Sequence, residues 1–535
     1  MKKQRILLAV IFLLQFFSLK SHADSIEVGG MVSGVWDVDT VFVTDNLRIR
    51  EITTLEITPG TLVLFNGSFG IHVEGRLLAQ GTSDDPIIFT IADTTGFSND
   101  TLSLGGWQQI RMQNIAPSED SSIFTFCHFH HGKAVARDSL FSYGGAFCIR
   151  NTDKVRIENC NFYNNYAFYN GGAIYLEQSN VVIRNNFFEG NRCGQTFDFY
   201  GFGGALCSDA GVPIVSHNHF ISNSSASIGG AVCIRFRDCP LHHNIFDENF
   251  SALGGAFGIV NITACRYAIH NNLVINNGAE FFGAGISNNN CSPLYVNNTI
   301  ANNHCVGGGG GFYCKDSVAP VLYNNILWGN TQYGGQSNQV YLWDLLSQPS
   351  FFYNDVEGGK ENFAGTGGSA YSAAYKNNLD TLPLFEGETY HLLPWSGCVE
   401  AGASDTAGLL IPSYDLANQP RLVGTRIDIG AYENQNPVTV AEPKSLPQII
   451  LSDPAPNPAT DRVEFQFYLP FPQNNITLKI VDLQGKLIAT LFAGKATAGL
   501  HNITWHPNLK NAKAGIYFCV LKTDAFQTAK KLVVE

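Results

Sequence analysis

Charge is scarce in this chain. Asp, Glu, Lys and Arg make up only 15% of its 535 residues, and no run rich in lysine and arginine occurs. The balance of 33 basic against 45 acidic residues gives a net charge of -12, which argues against nucleic acid or an anionic membrane surface as a partner. Long apolar runs are also missing. The run from Ile6 to Phe17 is too short to span a bilayer and no other is longer, so no transmembrane anchor is expected. Cys-x-x-Cys does not occur, which removes zinc-ribbon and thioredoxin chemistry. Helix-length periodic segments are absent too: apolar stretches such as Val181-Val182-Ile183 and Pro293-Leu294-Tyr295-Val296 are short and rich in β-branched and aromatic residues, and read as strands.

Glycine is abundant, with 53 residues, and it recurs in a fixed phrase. Between Phe129 and Asn330 an Asn-x-apolar-x-x-Asn segment alternates with a Gly-Gly-Ala-apolar segment, as in Asn218 to Asn223 followed by Gly229 to Val232. The closing asparagines are Asn165, Asn191, Asn223, Asn249, Asn277, Asn303 and Asn330, spaced by 26, 32, 26, 28, 26 and 27. A period of this length built from short strands predicts a solenoid, each repeat forming one coil of a parallel β-helix with coils about 4.8 Å apart. Equivalent residues then form columns. The asparagines are expected to make a structural ladder of side-chain amides inside a bend, and Gly-Gly to make a tight corner. Phe147, Ile174, Leu206, Val232, Phe257, Ile286 and Phe312 are expected to form an inward column.

These phrases resemble the repeats of chlamydial polymorphic membrane proteins and of bacterial right-handed parallel β-helix proteins with a pectin-lyase-like fold. From Asp24, the succession "Ile57-Thr58-Pro59-Gly60-Thr61", "Gly75-Arg76-Leu77-Leu78-Ala79-Gln80-Gly81" and "Gly106-Trp107-Gln108-Gln109-Ile110" is similar to the opening of many secreted bacterial β-helices. Asp415 to Arg421 and Asp428-Ile429-Gly430-Ala431-Tyr432-Glu433 resemble their closing coils, with Asn418 where that pattern has Gly. Asp415, Arg421, Asp428 and Glu433 are expected to satisfy buried backbone there rather than form a site.

The expected organisation is an all-β chain. Residues 1–23 read as a secretory signal peptide, with Lys2, Lys3 and Arg5 ahead of the apolar run and Ser21-His22-Ala23 at the cleavage positions. Residues 24–434 form the right-handed β-helix, and 435–448, with three prolines, a linker. Residues 449–535 carry six short alternating strands that predict a small Ig-like β-sandwich. Ala455-Pro456-Asn457-Pro458-Ala459, Val481 to Lys486, Ala514 to Phe518 and the terminal Lys530 to Val534 resemble the type A C-terminal sorting domain of the type IX secretion system. That resemblance implies a Bacteroidota-type outer membrane, the type IX machinery as a partner, and a surface or secreted destination.

Chemistry is harder to read. Cys207, Cys233, Cys239, Cys265 and Cys291 recur at the coil period and are candidates for disulfides between neighbouring coils. Asn151-Thr152-Asp153 matches the first phrase of polygalacturonases, but no Asp-Asp pair, Gly-His-Gly or Arg-Ile-Lys follows. The column four residues after each Gly-Gly-Ala holds Arg150, Glu177, Asp209, Arg235, Val260, Asn289 and Lys315, with Arg237 and Asp238 beside it. It is expected to face outward as solvated ladder pairs, and with Asp153 it supplies the weak catalytic candidates. His130-His131 and His242-His243 are adjacent pairs whose rings strand alternation would send to opposite faces, so no metal site and no cofactor is expected. Ca²⁺ enters only if the chain is a lyase. The function expected is a non-catalytic adhesin-like or glycan-contacting scaffold, meeting polysaccharide or a host or neighbouring surface. The alternative is a polysaccharide lyase or glycosidase.

Overall fold

A computed structural model describes residues 24–135, 142–194, 201–437, 449–452, 454–469, 472–497, 499–507, 512–523 and 527–534. The expected leader and nearly all of the expected linker lie outside the described residues. From Phe147 onward each coil holds four short strands, for example Ile174–Glu177, Val182–Arg184, Phe187–Glu189 and Arg192–Cys193. Each pairs in parallel and in register with its equivalent one coil later, at Leu206–Asp209, Ile214–Ser216, His219–Ile221 and Ser224–Ser225. These four stacks are called here the first to fourth ladders. The coils open at Ser25–Met31, which pairs with Thr40–Ile49 and through it with Leu62–Phe65 and Ile87–Ile91. The chain is a parallel β-helix, as its period predicts.

The core follows from alternation. Phe147, Ile174, Leu206, Val232, Phe257, Ile286 and Phe312 on the first ladder are all fully buried. Opposite them the third ladder stacks Phe129, Phe162, Phe188, Phe220 and Phe246, successive ring centroids lying 5.0, 4.6, 4.7 and 5.1 Å apart. Parallel in-register strands impose that spacing, and it suits offset aromatic stacking. The corners need glycine for two reasons. Gly229 has φ +77°, and a Cβ on Gly230 would stand 2.1 Å from the carbonyl oxygen of Gly255 in the next coil.

Two asparagine ladders run through the bends on either side of the third ladder. In one, Asn165 Nδ2 donates to Asn191 Oδ1 at 2.8 Å, and the chain of amides continues through Asn223, Asn249, Asn277 and Asn303 to Asn330. The second uses the opening asparagine of each phrase: Asn186, Asn218, Asn244, Asn272, Asn298, Asn325, Asn354 and Asn378. Each side chain spans adjacent coils, so nearly every amide group in the bend is satisfied without water.

The chain beyond the last rung, Tyr375–Lys376, departs from expectation. Residues 380–434 add no closing coils. They fold back as a strap along the flank of the coils between His243 and Ile326. Asn302 Nδ2 donates to Tyr390 Oη at 2.8 Å and Asn297 Nδ2 to the Asp428 carbonyl at 2.9 Å. Tyr390, Ala431 and Tyr432 cover Leu273, Ile275 and Ala301, while Leu392, Val399 and Ile429 cover Ile326. The strap lies where the outward column of the third ladder, in register through His128, Asn161, Phe187, His219, Ile245, Leu273, Thr299 and Ile326, presents Ile245, Leu273 and Ile326, and it covers that apolar surface.

The candidate disulfides are not formed. Cys207, Cys233, Cys239, Cys265 and Cys291 are free thiols, like the other eight cysteines. Cys207 stands in register with Cys233, but stacked positions have parallel Cα–Cβ vectors, which keeps the Cβ atoms near the ~4.8 Å strand spacing instead of the ~3.8 Å a disulfide needs.

At the C-terminal end, Ile450–Leu451, Val463–Leu469 and Gly499–Trp505 form one antiparallel sheet. Leu487–Ala496, Gln473–Asp482, Gly515–Lys522 and Gln527–Val534 form another. Phe465, Phe467, Leu478, Ile480, Cys519 and Leu532 close a core between them.

Candidate functional site

The outward face of the first ladder carries two parallel columns, because residues two apart on a strand share a face. One runs in register through Arg48, His72, Arg111, Cys148, Tyr175, Cys207 and Cys233. Its neighbour runs through Gln113, Arg150, Glu177, Asp209, Arg235, Val260, Asn289 and Lys315. The second column is not the fully solvated surface its spacing implies. Tyr143, Phe202 and Ile228, from the turns that precede the first-ladder strands, form a ledge over Cys148, Tyr175, Cys207, Cys233 and Val260. The side chains of Arg150, Asp209 and Arg235 are only 14%, 14% and 18% exposed.

Beneath that ledge the charges sit in contact. Arg150 Nε lies 3.1 Å from Glu177 Oε2, and Arg235 Nε lies 3.3 Å from Asp209 Oδ1, yet neither N–H points at its carboxylate closely enough to make a hydrogen bond. Tyr175 Oη donates to Asp209 Oδ2 at 2.9 Å and stands 3.4 Å from Glu177 Oε2. Burial pushes the Asp209 carboxyl above its ordinary range against the pull of Arg235, and burial also raises the Tyr175 hydroxyl. The guanidinium of Arg150 lies over the rings of Tyr143 and Tyr175, and that of Arg235 lies 4.2 Å from the Phe202 centroid.

Toward the first coils this face opens into a cavity of about 280 Å³ lined by Asn46, Arg48, Gly70, His72, Gln108 and Arg111. Arg48 grips Glu74 with two guanidinium nitrogens, and that hydrogen bonding holds the Glu74 carboxyl below its ordinary range. Burial lowers His72, with Arg111 adding to the effect, so His72 is neutral near pH 7. Arg48, His72, Arg111 and Tyr175 were not among the residues the sequence singles out. The first three come from coils ahead of the regular repeat, so no common period marks them. Tyr175 sits one position past an inward residue, and period-2 counting would have found it.

The remaining candidates lie elsewhere. Asp153 accepts from Asn180 N at 2.7 Å and Asn180 Nδ2 at 3.0 Å, and Asp238 accepts from Tyr267 N at 2.8 Å, so each links neighbouring coils in the bend after the first ladder. Arg237 is exposed in the same bend. The expectation for His242 and His243 is corrected: their Nδ1 atoms face each other at 2.8 Å. His243 has φ +55°, a left-handed bend residue, and this turns its ring back beside that of His242.

Two family profiles match this chain. Residues 97–239 match "Right handed beta helix region" and residues 455–535 match "Secretion system C-terminal sorting domain". The β-helix is therefore right-handed, and the C-terminal domain directs export through the type IX secretion system to the surface or the extracellular space. Over 87 residues the chain is 39% identical to "Protein bark beetle" of Drosophila melanogaster, a stretch covering 16% of this chain and 3% of that protein. Among solved structures, the enzymatically active domain of bacteriophage CBA120 tailspike protein 4 aligns with 86% of this chain and 59% of its own length, at 9% identity and a TM-score of 0.22. The chain thus spans less than two thirds of either relative. No helix among the described residues is long and apolar enough to cross a membrane.

Proposed function

We propose that this exported right-handed β-helix is a non-catalytic surface scaffold that contacts acidic polysaccharide along the outer face of its first ladder. The observation that carries the reading is the pair of half-free guanidiniums. Arg150 and Arg235 are partly sheltered against aromatic rings with Nε–H groups lacking an aligned acceptor, on a face that continues into a cavity holding Arg48 and Arg111. Guanidiniums beside aromatic rings suit a uronate, whose carboxylate takes paired N–H donors and whose ring stacks. Arg111→Gln and Arg150→Gln are each expected to weaken binding of polygalacturonate by at least about tenfold, since a hydrogen bond to a charged group contributes roughly 1.5–3 kcal/mol. Titration calorimetry at low salt measures this. Unchanged affinity in both variants would remove the proposal.

A second reading rests on Glu177 and Asp209, which converge on the Tyr175 hydroxyl with one carboxyl raised. Such an arrangement could support acid–base chemistry in a lyase or glycosidase. Release of unsaturated uronate or new reducing ends during the same titrations, lost in Asp209→Asn, would favour it over the scaffold.

We further propose that residues 24–434 act as the solenoid with its strap, 435–448 as a linker and 449–535 as a separately folding sorting domain, since the C-terminal core includes no residue of the solenoid. Deleting 449–535 is expected to leave a folded β-helix in the periplasm, measured by fractionation and circular dichroism. Normal surface delivery of the truncated chain is the contrary result.

A further inference from the structure

On the flank opposite the first ladder's face, where the second ladder meets the strap, the chain gathers four histidines. His242 and His270 are in-register partners on neighbouring coils, with rings stacked 4.8 Å apart at 7°. His217 and His243 occupy the left-handed bend position that the repeat elsewhere gives to Asn185, Asn271, Asn297 and Asn324, and their rings stack at 4.7 Å. One ring nitrogen from each of His242, His243 and His270 lies within 4.8 Å of the other two.

The polar contacts around these rings are incomplete. His243 Nε2 is 3.2 Å from the Tyr414 carbonyl of the strap and 2.9 Å from Asn271 Nδ2. The Tyr414 carbonyl also accepts from Asn271 Nδ2 at 2.8 Å. When His243 Nε2 carries the proton, its Nδ1 presents a lone pair 2.8 Å from His242 Nδ1, a gap that either an N–H of His242 or a shared cation bridges. His270 Nδ1 is buried with no hydrogen-bond partner. The nearby cation Arg421 is engaged by Glu433, at 3.7 Å, and by Asn271, and does not fill the site.

We propose that His242, His243 and His270 bind one divalent transition-metal ion of the zinc class. Tetrahedral ligand bonds of about 2.0–2.1 Å place neighbouring nitrogens roughly 3.3 Å apart, so ring rotations that part His242 and His243 by about 0.5 Å and draw in His270 complete the set. An all-imidazole set suits zinc, copper, nickel or cobalt over calcium or magnesium. A histidine ligand that donates its other N–H to a backbone carbonyl is fixed in tautomer and orientation, the role the Tyr414 carbonyl takes when His243 Nε2 carries the proton. Three protein ligands leave a fourth position for water or a partner's side chain. Because Tyr414 belongs to the strap, the ion also ties the strap to the second ladder.

The test uses the untagged full chain, stripped with chelator and equilibrated with zinc chloride or cobalt chloride. About one equivalent of zinc per chain is expected to survive dialysis, with a rise in melting temperature and, for cobalt, visible bands of a low-coordinate site. His270→Ala and His242→Asn should each lose the retained metal and the bands, whereas His128→Ala, in the separate half-buried histidine group of the third ladder, should keep both. His242 is half-buried, so its variant remains informative if His270→Ala fails to fold. Absence of retained zinc in the parent chain, or retention unchanged in His242→Asn, would overturn the assignment.

Discussion

Arg421→Met is expected to destabilise the solenoid by roughly 3–5 kcal/mol and to release the strap, as removal of one partner from a buried ion pair does. Arg421 is 2% exposed and its partner Glu433 not at all. Its guanidinium donates to the carbonyl oxygens of Gly430 and Ala431 and to Asn271 Oδ1, so one side chain joins the strap both to itself and to the coils. Glu433 in turn accepts from Asp428 N, and Asp415 from Glu433 N, each at 2.9 Å. Burial raises Glu433 to about 8, with Asp428 adding to the rise, and raises Asp428 itself to about 6. A carboxyl whose folded value is raised contributes stability below its unfolded value, near 4, and loses it as pH climbs through the folded value. Without Arg421 that loss steepens, so the defect should be larger at pH 8 than at pH 5. Urea denaturation at both pH values, with limited proteolysis to report strap release, decides it. Midpoints matching the parent at pH 8 would sink the account.

The second large effect is Asn249→Ala. Asn249 is fully buried; its Nδ2 donates to Asn277 Oδ1 at 2.9 Å and to the Phe220 carbonyl at 3.0 Å, and its Oδ1 accepts from Asn223 N and Nδ2. Alanine leaves several of these groups unpaired between coils too tightly stacked to admit water, at about 1–3 kcal/mol for a buried group without a partner. Asn223→Ala and Asn277→Ala should behave alike, while Glu56→Ala, at an exposed strand position, should change stability by less than about 0.5 kcal/mol. Equal melting temperatures for all four variants and the parent would show that the amides are incidental.

Why some of this was legible in the sequence and some not comes down to spacing. The coil period, the inward column from Phe147 to Phe312 and the six C-terminal strands are written in local alternation, and they stand where alternation puts them. The second asparagine ladder is legible too, as the opening letter of the phrase that Asn218 begins and Asn223 closes. Left-handed residues such as His243 defeat alternation, because a single positive φ sends two neighbouring rings to the same side. The shelter over Arg150 and Arg235 comes from Tyr143 and Phe202, in turns of variable length that share no register with the column they cover. The strap's path depends on which flank is apolar enough to hold it, a property of three coils together that none of its own residues records.

The strap also sets an order of events. Contacts within the solenoid join residues about one coil apart, so folding can begin at any pair of coils and spread along the axis. The strap is different: Asn297 meets Asp428 across 131 residues, Asn271 meets Arg421 across 150, and His243 meets Tyr414 across 171. These loops close only after the flank they grip has been built. The chain therefore assembles by propagation and finishes by latching, with Ile245, Leu273 and Ile326 bare to the solvent in the interval between the two.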